Sequence, residues 1–125
     1  MYVELQHIAL AEFGDIVVRG QQLGRRTSAP LKLRLFIRDG TFVDIWLSSD
    51  RARYAYHWEQ RAKRGLFHRH DNAPDHPSVV TFPKHFHNGD EVMVEPSYIS
   101  DEPSSALREF LSFIRDRLAE YEDER

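Results

Sequence analysis

The stretch Leu31-Lys32-Leu33-Arg34-Leu35-Phe36-Ile37-Arg38-Asp39-Gly40-Thr41-Phe42-Val43-Asp44-Ile45-Trp46-Leu47 decides the fold. Side chains alternate across an extended chain, so Leu31, Leu33, Leu35 and Ile37 share one face while Lys32, Arg34, Phe36 and Arg38 share the other. One face is built for a core. Asp39-Gly40 reads as a two-residue hairpin turn, because a type I′ turn needs the positive φ that glycine adopts without strain. Thr41 to Leu47 is then the return strand. Two strands alone are marginal in water, so the apolar face predicts a wider sheet and a covering layer.

The flanking sequence supplies both. Downstream, Arg53 to Gln60 alternates again, with Tyr54, Tyr56 and Trp58 opposite Arg53, Ala55, His57 and Glu59; Gly65 to His70 follows after a basic turn. Ser78 to Phe82 reads as another short strand, Asn88-Gly89 as a turn, and Glu91 to Glu95 as a brief strand stopped by Pro96. Upstream, Asp15 to Gln22 is rich in β-branched residues, and Gly24 to Pro30 reads as a flexible basic loop. Tyr2 to Phe13 reads as a short helix closed by Gly14. Ser104 to Tyr121 carries Leu107, Phe110, Leu111, Ile114, Leu118 and Tyr121 at helical spacing, with Pro103 and the acids Asp101 and Glu102 at its start. The expected fold is α+β: an antiparallel β-meander sheet with a short N-terminal helix and a C-terminal amphipathic helix packed on one face, in a single domain spanning residues 1–125.

A chain of 125 residues with 41% apolar content is sized for one modest core. No apolar run approaches the roughly 20 residues of a membrane span and the N-terminus lacks a signal-like segment, so the expectation is a soluble, unexported, cytoplasmic protein. The absence of cysteine excludes disulfides and thiolate metal sites. The net charge of −3 conceals segregation: Ile16 to His70 holds twelve Lys and Arg against four carboxylates, a local +8. Such a surface is either a set of solvated strand faces or a track for phosphates.

Five of the seven histidines, His68, His70, His76, His85 and His87, lie between positions 68 and 87. On strands, His68 and His70 share a face, as do His85 and His87. Two chemistries fit. Imidazoles at alternate strand positions reach one metal ion, with Asp71 or Asp75 as a carboxylate ligand. Alternatively, histidines near neutral pKa move protons in phosphodiester cleavage while cations hold the phosphate. In that second reading His76, His85 and His87 are the acid and base groups, Arg53, Arg69 and Lys84 bind phosphate, and Tyr54 and Tyr56 stack an unpaired base; no metal or other cofactor is required. Against both stand plainer roles: aromatics as cross-strand packing, and Asp71-Asn72-Ala73-Pro74 as a turn scaffold.

Asp71-Asn72-Ala73-Pro74-Asp75-His76-Pro77 and Thr81-Phe82-Pro83-Lys84-His85-Phe86-His87 resemble the signature of the TumE family, toxin components of prokaryotic toxin–antitoxin pairs. The likeness extends to the Tyr-rich strand Arg53-Tyr54-Ala55-Tyr56-His57-Trp58 and the closing helix. His76, His85 and His87 match the family pattern, whereas Asp75 and Lys84 stand where it carries histidines. The resemblance implies a growth-inhibiting toxin that acts on RNA or translation and is neutralised by a cognate DNA-binding antitoxin. The leading expectation is therefore a metal-independent ribonuclease toxin. The alternatives are a non-catalytic nucleic-acid- or protein-binding module masked by its antitoxin, and a histidine-rich metal-binding β protein. No membrane partner is expected, and a homodimer is compatible with the sequence.

Overall fold

The computed structural model describes residues 1–24 and 31–124, so nearly all of the basic loop expected at 24–30 lies outside the described residues. The elements run α1 (Tyr2–Glu12), β1 (Val17–Leu23), β2 (Lys32–Ile37), β3 (Phe42–Leu47), β4 (Tyr54–Glu59), α2 (Arg61–Arg64), β5 (Phe67–Asp71), β6 (His85–Gly89), β7 (Val94–Pro96) and α3 (Pro103–Asp123). All seven strands form one sheet in the order of the chain, and every neighbouring pair is antiparallel. The expected α+β meander with its two flanking helices is what the chain adopts.

The core lies on one side of that sheet. Leu33, Leu35 and Ile37 of β2, Val43 and Ile45 of β3, and Tyr54, Tyr56 and Trp58 of β4 point into it, meeting Leu5 and Ala9 of α1 and Leu107, Phe110, Leu111, Ile114 and Leu118 of α3. Full burial of each such side chain contributes about 1.5–3 kcal/mol. The helix α3 begins where Pro103 fits the first turn and the Glu102 carboxylate accepts the Ser104 and Ser105 amide N–H groups. Neither α1 nor α3 packs on the opposite face of the sheet, where the strands' other alternates lie, charged groups mixed with aromatics such as Phe36, Phe42 and Phe67.

Four local expectations are corrected. The β2–β3 connection is a three-residue loop, Arg38-Asp39-Gly40, because Ile37 and Thr41 close the ladder and Gly40 alone takes a positive φ, of 94°. Asp39 Oδ1 accepts the Thr41 amide and hydroxyl, and Thr41 Oγ1 accepts the Trp58 indole N–H. Ser78 to Phe82 is a chain of turns rather than a strand: β5 pairs directly with β6, which leaves no ladder position for it, and Val80 is 81% exposed. Asn88-Gly89 ends β6, and the reversal falls on the next residues, where Asp90 Oδ1 accepts the Val92 and Met93 amides. The basic turn after β4 closes into the single-turn helix α2, ended by Gly65 at φ 75°.

Candidate functional site

Register decides which histidines meet. In the β5–β6 ladder Arg69 lies opposite His87 and Asp71 opposite His85, while His70 lies opposite Phe86 and His68 opposite Asn88. The two His-x-His pairs therefore occupy opposite faces of the sheet, and they do not converge on one ion.

His68, buried, and His70, half-buried, lie on the helix-covered side of the sheet. His68 stacks on Trp58 and Phe86 and accepts a hydrogen bond at Nδ1 from Gln60 Nε2 at 2.8 Å. His70 stacks on Phe86 with ring centroids 4.3 Å apart and is hydrogen-bonded to Ser97 Oγ at 2.7 Å. Burial pushes both pKa values down to about 4, so both rings are neutral at pH 7.

On the open face, His85 and His87 flank Asp71. Here His85 Nδ1 sits 3.0 Å from the Pro83 carbonyl, which only a ring N–H can satisfy, and Nε2 sits 3.1 Å from Asp71 Oδ1. His87 Nε2 is 3.8 Å from Asp71 Oδ2, and its Nδ1 is buried without a hydrogen-bond partner among the described residues. Burial lowers the pKa of His87, and the neighbouring His85 adds to that effect. The third ring comes from the long excursion between β5 and β6. His76 packs edge-on against His85 at 4.6 Å and His87 at 5.6 Å between ring centroids. Turn chemistry holds it there: Asp71 Oδ1 accepts the Ala73 amide, Asn72 bridges the Tyr54 amide and the Ala52 carbonyl, and Thr81 Oγ1 donates to the Lys84 carbonyl and accepts the Ser97 amide. The Asp71–Pro74 turn scaffold is thus present, and Asp71 also serves the histidines.

Beside this cluster runs a groove of about 430 Å³ lined by Lys32, Arg34, Asp44, His57, Glu59 and Arg69 among others. Arg69 Nε donates to His57 Nδ1 at 3.0 Å, which leaves the His57 Nε2–H to donate to Glu59 Oε1 at 2.9 Å. The Arg61 guanidinium grips Glu59 and holds its pKa at about 2. Lys32 and Arg34 together clamp Asp44.

The other candidates are scattered. Arg53 is exposed at the turn before β4. Tyr54 and Tyr56 are 7% and 1% exposed, packed on each other and on Phe110, so neither ring offers a face to a base. The Lys84 ammonium donates to the Ile99 carbonyl and lies 3.3 Å from Asp101, which engages it at the entry to α3, away from the three histidines. Of the expected phosphate ligands only Arg69 adjoins the cluster. Sequence reading missed His57 and Glu59; their signal was the alternation that puts them on the face of Arg69 and Asp71.

Fold and site define a class: an antiparallel sheet with one face sealed by helices and the other bearing an imidazole–carboxylate cluster beside a cation-lined groove. The sequence model of the family described as Toxin TumE matches residues 8–118, and the chain belongs to that toxin family. A search of curated proteins and a search of solved structures find no match. Among the described residues no helix is long and apolar enough to cross a membrane.

Proposed function

We propose that this toxin acts on RNA as a metal-independent ribonuclease, with His76, His85 and His87 as its proton-transfer groups. The observation that supports the reading is the meeting of these three rings with Asp71 on the face that carries Arg69 and the cationic groove. In the reaction, an imidazole accepts the proton of a ribose 2′-OH as its oxygen attacks the adjacent phosphorus. A second imidazole gives a proton to the departing 5′-oxygen, leaving a 2′,3′-cyclic phosphate and a free 5′-hydroxyl. The neutral ring of His87 suits the acceptor. His85, bracketed by the Pro83 carbonyl and the Asp71 carboxylate, suits the donor. His76, half-buried at the rim, is the ring a substrate meets first. Arg69 stabilises the charge that develops on phosphate. A DNA-binding antitoxin covering the open face would silence such a centre, and the cytoplasm is where both RNA and antitoxin are met.

Incubation of the purified protein with cellular RNA tests this. Cleavage is expected to persist in EDTA and to disappear in His76→Ala and in the His85→Ala/His87→Ala double variant. RNA left intact by the wild type, or cleaved equally by the His76 variant, would falsify the ribonuclease. Growth inhibition without cleavage would instead select a binding module, a reading favoured by the depth of His85 and His87, 1% and 3% exposed. Charge reversal at Arg34, Arg53 or Arg69 should then abolish toxicity while histidine variants retain it.

A further inference from the structure

We propose that His76, His85 and His87, with the adjoining Asp71 carboxylate, form a binding site for a divalent transition-metal ion of the zinc class. Each ring presents one nitrogen such that all three lie within 4.8 Å of one another. A tetrahedral zinc ion with Zn–N distances of about 2.0–2.1 Å draws its ligand nitrogens to about 3.4 Å, so binding closes each pair of rings by at most about 1.4 Å. His85 and His87 are held by the β6 ladder, and His76, brought in by the turns of the β5–β6 excursion, is the third ligand.

Two further features point to a cation. Among the described residues His87 Nδ1, in a ring 3% exposed, is buried without a hydrogen-bond partner, whereas buried polar atoms are ordinarily satisfied, and its Nε2 lies 3.8 Å from Asp71 Oδ2. In His85, donation from Nδ1 to the Pro83 carbonyl leaves the neutral ring with its lone pair on Nε2, facing the Asp71 oxygen 3.1 Å away. Two lone pairs at that distance repel unless a proton or a metal ion lies between them, and N and O ligands of one tetrahedral zinc ion stand about that far apart. A backbone carbonyl on the remote nitrogen is also how metal-bound histidines are oriented. Three imidazoles and one carboxylate suit zinc, cobalt or nickel rather than calcium or magnesium, which take oxygen ligands.

This site stands on geometry and goes beyond the RNA reading. A bound ion uses the same lone pairs as proton transfer, so the metal-loaded and the cleaving forms exclude one another. The test is titration of untagged, chelator-stripped protein with Zn²⁺ by calorimetry and with Co²⁺ by visible absorption. One ion per chain, tetrahedral Co²⁺ bands, at least about tenfold weaker affinity in His76→Gln and Asp71→Asn, and unchanged affinity in His7→Gln on α1 are expected. Circular dichroism of His76→Gln establishes that the loop variant is folded. Absence of saturable binding, or wild-type affinity in folded His76→Gln, overturns the proposal. Zinc binding without RNA cleavage removes only the ribonuclease, and cleavage without zinc binding removes only the metal site.

Discussion

Acidification from pH 7 to pH 5 should destabilise this protein through His68 and His70, the two histidines on the helix-covered side of the sheet. His68 and His70 are stacked among Trp58, Phe86, Phe110 and Phe113, and burial lowers both pKa values from 6.5 to about 4. A folded-state pKa below the unfolded value means that the unfolded chain binds more protons between those limits, so stability rises with pH through the window and is lost as pH falls from about 6.5 toward 4. For one ring shifted by that amount, the loss between pH 7 and pH 5 is about 2 kcal/mol, and for the coupled pair about 2–4 kcal/mol. His57 and His87, whose pKa values burial also lowers, act in the same direction. Against a typical total of about 5–15 kcal/mol this is a large fraction. Urea unfolding of metal-free protein at pH 7, 6 and 5, followed by tryptophan fluorescence, measures it as a falling midpoint at constant slope. His68→Gln, which removes one titrating ring, should roughly halve the effect. A midpoint independent of pH between 7 and 5 would refute the burial of these rings on the helix-covered side of the sheet.

Two substitutions probe the hairpin and its support. Gly40→Ala should cost about 1–2 kcal/mol, since the φ of 94° disfavours any Cβ while an added methyl meets nothing within 4 Å; urea denaturation that shows no change would remove the left-handed residue from the turn. Trp58→Phe should cost about 1–3 kcal/mol, because the buried Thr41 hydroxyl loses the indole N–H bonded to it at 2.8 Å, and a two-state thermal or urea melt checks it.

Much of the fold was legible because strand and helix periods are local properties. The alternation in 32–37 and 54–59 names the residues that face the core, and the spacing from Leu107 to Leu118 names the buried stripe of α3, whereas Leu31, expected on the core face, precedes β2 and is 58% exposed. Ser78 to Phe82 misleads for the same reason: an apolar, β-branched run predicts a strand, but a strand also needs a partner edge, and β5 and β6 had already taken each other. Tyr54 and Tyr56 show the complementary limit, since an amphipathic ring reads equally well as a stacking platform or as core, and only the helix laid across them decides.

The sequence alone settles that His68 and His70 share a face if they lie on a strand, that His85 and His87 do likewise, and that Asp71 to Pro77 turns the chain. Each follows from period two or from turn chemistry within a few residues. Pairing between distant segments puts those two faces on opposite sides of the sheet, sets Arg69 and Asp71 beside His85 and His87, and folds His76 back to join the cluster. A one-residue shift in the β5–β6 register would turn His85 and His87 toward the helices and leave Asp71 alone, and register is set by interactions between segments, to which no local pattern has access.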